Sequence, residues 1–465
     1  MYLRAHISSS GFSAESVALT AKGEITRHDA SGSDRPPGGD AVKIAIPLTG
    51  TRGDVQPVLA LGLELQRRGH DVLLGAPPNL VDFTTSAGLA AQPCGPDVQQ
   101  LYSSDEGQRA LVAGNTLRLM QLVARQMADY ADRMNREVVE VCTGADLIVA
   151  STVTEDRAAS VAEAMQVPLV SLHYYPARAN SAYPFPGALP PSWAPPAPIN
   201  RVTWAVAENL RRVVFMRYLN ELRGLLGLPP SRASVAAELA RRRVPEIQIY
   251  DPALVPGLRA QWDERRPFTG FLTLDQDTRR AIGELGDDHT DILDWVAAGE
   301  PPVFFGFGSM PIRNPAAVMA MVREVTARLG VRALVSAGWA GMEASEAQSD
   351  SVKVVGPFAY DLVFPYCAAA VHHGGIGTLF EGLRAGLPTL VCSVSFEQPM
   401  WGGQVERLGL GAHLRFTQLD TERLVRGVST LLEPGRRERS ARFATTLRTE
   451  GAAAEAADIV EASAG

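Results

Sequence analysis

Residues 42–77 read VKIAIPLTGTRGDVQPVLALGLELQRRGHDVLLGAP, and this stretch decides the fold. VKIAIPL is a short β-branched apolar run and TGTRGD a tight loop. PVLALGLELQRRGHD has helical periodicity closed by Gly69, and DVLLGAP is a second apolar run. Strand, loop, helix and strand in immediate succession is the unit from which parallel, doubly wound sheets are built. The rhythm recurs with ADLIVAS at 145–151, a helix over 158–166, VPLVSLHYY at 167–175, and one more strand within RRRVPEIQIYDPALVP at 241–256.

Alternation stops between 270 and 302, where the chain is polar and acidic as a linker is, and then restarts. PVFFGFGSM, a helix over 315–329, VRALVSAGW, VKVVGPF, AAAVHHGG, a helix over 377–385 and LPTLVCSV form a second series. The expectation is an α/β chain of two doubly wound, Rossmann-like domains facing a cleft, at 42–270 and 301–465, joined by a linker at 271–300. Residues 1–41 have no sustained periodicity and end in Ser, Asp, Pro and Gly, so they are expected to be a disordered extension.

Composition narrows the function. The 465 residues are 46% hydrophobic and 20% charged, which is globular, and 44 Lys plus Arg against 51 Asp plus Glu leave a net charge of -7. No general field favours nucleic acid. The four cysteines form no C-x-x-C pair, no uncharged apolar run reaches the roughly 18 residues that cross a bilayer, and a reducing cytoplasm is the expected location.

His372-His373-Gly374-Gly375-Ile376-Gly377-Thr378 follows an apolar strand and opens a helix. Glycines there bring backbone N–H groups to an anion, the helix dipole adds about half a positive charge, and a histidine and Thr378 add donors. The chemistry is phosphate or diphosphate binding; a tight turn with glycines for packing is the plainer alternative. Glu397-Gln398, at the end of the next strand, offers an acceptor and a donor suited to sugar hydroxyls, or a solvated loop. Asp54, in G-T-R-G-D at the end of the first strand, sits where an N-cap belongs and also where a general base would face the crevice. No G-x-G-x-x-G follows the opening strand, which disfavours a dinucleotide oxidoreductase.

Between Tyr174 and Asn200 eight prolines make a stiff apolar loop carrying Tyr174, Tyr175, Tyr183, Phe185 and Trp193, an expected mouth for a greasy acceptor if these rings do not simply pack the loop down. A helix from about Val202 to Leu228, with Arg211, Arg212, Arg217 and Arg223, suits weak membrane-surface contact or a lid. His372 and His173 stay outside the catalytic set.

GTRGDVQPVLALGLELQRRGHDV, FGSM, SAGW, VVGPF, HHGGIGTLFEGLRAGLPTLVCSVSFEQPMWG and RLGLG together resemble the nucleotide-sugar glycosyltransferases of the GT-B fold. More narrowly, they resemble the family 1 branch of sterol glucosyltransferases and bacterial antibiotic glycosyltransferases, over about residues 42–440. The resemblance implies that His373, Gly374, Gly375, Gly377 and Thr378 hold the donor diphosphate with Ser309, and that Glu397 and Gln398 hold the donor sugar. It further implies that Trp339 stacks on the base and that Asp54 is the catalytic base. Val355 and Phe358 stand where plant members place a tryptophan and a glutamine, so uracil against thymine stays open.

The implied reaction is an inverting transfer of a hexose from a UDP- or TDP-sugar to a hydroxyl of a hydrophobic small molecule, such as a sterol or polyketide. No cofactor and no metal is expected. Asp275-Gln276-Asp277, the one D-x-D, lies in the polar linker and reads as a solvated charge run. The alternatives are a nucleotide-sugar epimerase of the same fold and a non-catalytic donor-binding helper. Acceptor, donor sugar and oligomeric state are open.

Overall fold

The computed structural model describes residues 41–104, 125, 128–191, 193–308, 314–338, 349–394 and 396–465. The expected extension, residues 1–41, lies outside these save for its last residue. Two six-stranded parallel sheets carry the chain. The first is ordered β3-β2-β1-β4-β5-β6, from β1 (Lys43–Pro47), β2 (Asp71–Ala76), β3 (Ala90–Pro93), β4 (Leu147–Ser151), β5 (Leu169–His173) and β6 (Glu246–Gln248). The second is ordered β12-β11-β10-β7-β8-β9, from β7 (Val303–Gly306), β8 (Ala333–Ser336), β9 (Val352–Val355), β10 (Ala369–His372), β11 (Thr389–Ser393) and β12 (Gly411–Arg415).

In each sheet the strand order reverses beside the strand that comes first in the chain, between β1 and β4 and between β7 and β10. Ligands of open α/β sheets bind outside the carboxyl ends of strands at such reversals. The GTRGD loop follows β1 and the HHGG loop follows β10, so both motifs lie at these points.

The helices that position the site are α1 (Arg52–Arg67), α2 (Glu155–Met165), α3 (Ala197–Leu225), α4 (Gln276–Ala281), α5 (Asp287–Ala297), α6 (Ile376–Arg384), α7 (Gln398–Arg407) and α8 (Ala452–Ser463). Helix α3 starts five residues before the expected Val202, because Pro198 fits a first turn whose N–H groups need no partner. The stretch expected as a polar linker is largely helical. Its α5 sends Ile292 and Val296 into an apolar cluster with Phe304 and Phe364.

The two units share buried surface. Tyr250 meets Trp401 edge to face at 5.7 Å, and Phe271 meets Phe380 at 4.9 Å. Helix α8 follows the second sheet in sequence yet packs on α1, where the Arg68 guanidinium donates to Asp458 and Glu461 at 2.7 Å each. No helix among the described residues is long and apolar enough to cross a membrane.

Candidate active site

The chain leaves β1 through Leu48, Thr49 and Gly50 and enters α1 at Arg52. Thr51 is the N-cap. Asp54 is therefore the third helical residue, one turn inside the N-cap position expected for it, and its carboxylate closes a capping box by accepting from the Thr51 backbone N–H at 2.7 Å and the Thr51 hydroxyl at 3.1 Å. A Cβ at Gly50 (φ +134°) would lie 2.3 Å from the same carboxylate oxygen, so only glycine lets the aspartate take this place. Burial pushes the Asp54 carboxyl above its ordinary value, with the Thr51 hydrogen bonds pulling the other way. A carboxylate whose proton affinity is raised is a better base than an exposed one.

At the end of β10 the histidines separate. His372 is fully buried, and its Nδ1 accepts the Gly374 N–H at 3.0 Å, which leaves the proton on Nε2 and the ring neutral. The His373 ring lies against the backbones of Gly308 and Gly375, where added Cβ atoms would fall 2.6 and 2.5 Å from it. Its Nδ1 has no partner. Burial lowers its pKa to about 4, so the imidazole is neutral in the unliganded protein.

Gly374 takes φ +92° with Val391 where a Cβ would go, and Gly375 caps α6, whose first-turn N–H groups have no helical carbonyl to bond. Gly377 and Thr378 lie in that turn. The loops after β7 and β8 meet where a Cβ on Gly338 would come 2.5 Å from the Gly308 carbonyl oxygen. Ser309 and Trp339, the next residue of each loop, lie outside the described residues. Val355 and Phe358 are buried, the latter among Phe304, Tyr360 and Phe364, and offer no face to a nucleobase. Tyr360, which the sequence did not single out, has its hydroxyl near Ser336 and Thr378.

The loop after β11 turns through Phe396, a non-glycine residue at φ +57° and 45% exposed. Such a conformation costs a phenylalanine about 1 kcal/mol or more and recurs at ligand-binding turns. It places Glu397 at the N-cap of α7 and lets the Gln398 Oε1 accept the Val394 N–H at 2.9 Å. Burial pushes the Glu397 carboxyl up to about 7, and the charge of Asp54 adds to the rise. Glu397 in turn helps push Tyr175 up to about 12. Asp54 of the first half and Glu397 of the second are thus near enough for their charges to interact, and Glu397 acts on Tyr175 as well.

A Glu397 carboxyl titrating near 7 favours the folded state most below about 4.5 and loses that contribution as pH rises through 7. Glu397→Gln should therefore make the ligand-free protein more stable relative to wild type at pH 8 than at pH 5, read as the difference in Tm at each pH. A parallel shift at both would mean that the carboxylate is solvated.

The five aromatics of the proline-rich loop divide. Tyr174 and Tyr183 are 5% and 6% exposed, and their hydroxyls donate to the backbone carbonyls of Asp54 at 2.8 Å and Pro256 at 2.9 Å. These two hold the loop and leave little ring surface for an acceptor. Phe185 packs edge to face on Trp204 at 5.2 Å, while Tyr175 is half-buried and Trp193 is 45% exposed. The far end of the loop reaches the second unit, where Arg407 donates to the Pro191 carbonyl at 3.3 Å. Asp275 caps α4 by accepting the Thr278 N–H at 2.8 Å and Asp277 pairs with Arg280 at 2.6 Å, which accounts for the D-x-D. Among the described residues no group of His, Cys, Asp and Glu is spaced to hold a metal.

Residues 44–184 match the glycosyltransferase family 28 N-terminal domain, and residues 336–462 match the erythromycin biosynthesis protein CIII-like C-terminal domain. An uncharacterized glycosyltransferase of Mycobacterium tuberculosis is 37% identical over 422 residues, covering 90% of this chain and 98% of that protein. A sterol 3-beta-glucosyltransferase of Arabidopsis thaliana is 28% identical over 432 residues, covering 90% of this chain and 67% of that protein. The calicheamicin glycosyltransferase CalG4 superposes with a TM-score of 0.65 at 19% identity, covering 91% and 98% of the two chains. The glycosyltransferase VinC in complex with dTDP does so with a TM-score of 0.59 at 16% identity, covering 90% and 99%. With both sheets reversed at the loops that carry its motifs and a relative of this identity along nearly its whole length, the chain belongs to the GT-B fold, family 1 glycosyltransferases, and is a hexosyltransferase enzyme.

Proposed function

We propose that this enzyme moves a hexose from a UDP- or TDP-sugar to a hydroxyl of a hydrophobic small molecule, with inversion at the anomeric carbon. The observation that carries the reading is the approach of Asp54 to Glu397: a base candidate from one sheet and a sugar-binding candidate from the other share one electrostatic environment. An acceptor hydroxyl placed between them loses its proton to Asp54 as it attacks the anomeric carbon from the face opposite the nucleotide. A single displacement inverts the configuration.

Charge then develops on the leaving diphosphate. The N-terminus of α6, with the backbone N–H groups of Ile376, Gly377 and Thr378, is preorganised for it, and His373 and Thr378 add side-chain donors. Glu397 and Gln398 would hold the sugar hydroxyls, Ser309 the diphosphate and Trp339 the base. The likeness to a dTDP complex supports a nucleoside diphosphate donor, and the likeness to a sterol glucosyltransferase supports a flat hydrophobic acceptor over the Tyr175, Phe185 and Trp193 side. An epimerase would need no acceptor and gives this loop no purpose.

Thermal shift of the full chain against UDP- and TDP-sugars, followed by product analysis with sterol and polyketide acceptors, tests the reading. Stabilisation by neither nucleotide would overturn it. Within the same assay, His373→Ala should weaken nucleotide binding about tenfold, the worth of one hydrogen bond to a charged group, while His372→Ala should act on Tm and leave affinity nearly unchanged. Equal losses of affinity would mean that the anion does not lie at His373.

A further inference from the structure

Arg52, two residues before Asp54, bonds across to the segment that connects the two sheets. Its Nη2 pairs with Glu284 of the segment between the two sheets, its Nε donates to Gln56 at 3.0 Å, and its guanidinium lies 4.6 Å from the Phe83 ring centroid. Glu284 is 5% exposed and also accepts from Arg279 at 3.0 Å. Arg279, 3% exposed, continues the series: its Nη2 stands 3.6 Å from Asp361 and 3.6 Å from Glu381. Glu381 lies on α6 one turn below the diphosphate loop and pairs with Arg384 at 2.8 Å.

The series therefore runs from the helix of the proposed base, through the connecting segment, to the helix of the proposed anion site. Three arginines face three carboxylates, with the buried His289 beside Asp361 and Glu284 and the Tyr360 ring near Arg52. Exposed pairs of this kind position little, because water competes for each charge. Here the middle members are almost wholly buried, and a buried charge that loses its partner is costly, so the pairs persist or break together.

We infer that Arg52, Glu284 and Arg279 form an ion-pair relay that sets the position of Asp54 against the donor loop, and that Arg52 is a positioning residue for transfer. The inference rests on Asp54 being the base. Arg52 itself touches neither substrate nor reacting atoms; its tether fixes how the first turn of α1 is presented when the two halves hold a donor. A displacement of about 1 Å between base and acceptor is enough to cost on the order of a hundredfold in rate.

The test uses the full chain with an accepted donor and acceptor. Arg52→Gln and Glu284→Gln should each lower kcat about ten- to a hundredfold while donor KM and the Kd for UDP or TDP stay within about twofold. The double variant should be no worse than the poorer single, because both remove one link. Glu284→Asp, which keeps the charge on a shorter arm, should recover part of the rate. In Glu284→Gln the released Arg52 cation should also move the acid limb of the kcat profile to lower pH.

Unchanged kcat in folded single variants, additive losses in the double, or donor KM rising in step with the fall in kcat would each overturn the relay. Should Glu284→Gln fail to fold, Arg52→Gln decides alone, since it leaves Glu284 paired with Arg279. Asp54→Asn separates the two readings. Wild-type transfer by that variant defeats the base assignment and the relay with it, whereas an impaired Asp54→Asn beside fully active relay variants defeats only the relay.

Discussion

Asp54→Asn should transfer sugar about 10²- to 10⁴-fold more slowly than wild type, the loss expected when a general base is removed, while donor affinity and Tm scarcely move. The contrast follows from the geometry. Asparagine keeps an oxygen that can accept the Thr51 N–H, so the capping box that now uses the carboxylate at 2.7 Å survives. It keeps the volume beside Gly50, where no side chain larger than hydrogen fits. What it loses is the ability to take a proton. Burial raises the proton affinity of Asp54, so the wild-type rate should fall as pH is lowered through a value above the ordinary aspartate range. The pair of measurements is a melting curve and a rate of glycoside formation. Wild-type rates in a folded variant would reduce Asp54 to a capping residue.

The parts of this site that the sequence carries are those whose chemistry is local. The β1–α1–β2 unit is readable because apolar periodicity changes from strand to helix within one short window, and the HHGG turn because glycines cluster between a strand and a helix. Strands β3 and β12 were not anticipated. They are the outer strands of their sheets, half exposed, and Ala-Ala-Gln-Pro and Gly-Ala-His-Leu-Arg lack the β-branched runs that mark central strands.

Protonation is the second thing that sequence does not carry. His372 and His373 are adjacent and chemically identical, yet the Nδ1 of one accepts the Gly374 N–H and the Nδ1 of the other is buried without a partner, a difference made by where the glycine backbone passes. Charged residues that are buried form the third class. Glu155, Arg178, Glu246, Arg279 and Glu284 read as ordinary surface charges in a chain with 95 of them, 44 basic plus 51 acidic. Only the three-dimensional pairing shows that each is 5% exposed or less.

Arg178→Ala tests the consequence of such pairing and should destabilise the protein by about 3–5 kcal/mol, the cost of leaving buried charge uncompensated. Arg178 belongs to the proline-rich loop. Its guanidinium grips Glu155 through two bonds, at 2.7 and 3.1 Å, and pairs with Glu246 through Nε. Gln248 donates to Nδ1 of His173 at 3.1 Å, which leaves the His173 Nε2 proton facing Glu155 at 3.3 Å. Burial, with Arg178 adding, keeps that histidine neutral in the wild type. Arg211 reaches Glu155 only at 3.3 Å from a position 38% exposed, and Arg211→Ala should cost under about 1 kcal/mol.

The sign of the pH dependence discriminates. In the wild type, Arg178 holds the Glu155 carboxyl well below its ordinary value against burial, so this group supports the fold above about pH 4.5 and loses that support as pH falls. Without Arg178, burial acts unopposed by its main partner and the carboxyl is pushed upward, so the group favours the fold at low pH instead. The gap in Tm between wild type and Arg178→Ala should therefore be widest near pH 8, roughly 10 °C, and should narrow toward pH 5. Because the loop carrying Tyr175, Phe185 and Trp193 loses its anchor, acceptor KM should rise while nucleotide affinity holds. A Tm gap that is the same at pH 5 and pH 8 would show that the guanidinium packs the loop without holding these carboxylates, and an unchanged acceptor KM would detach the loop from acceptor binding.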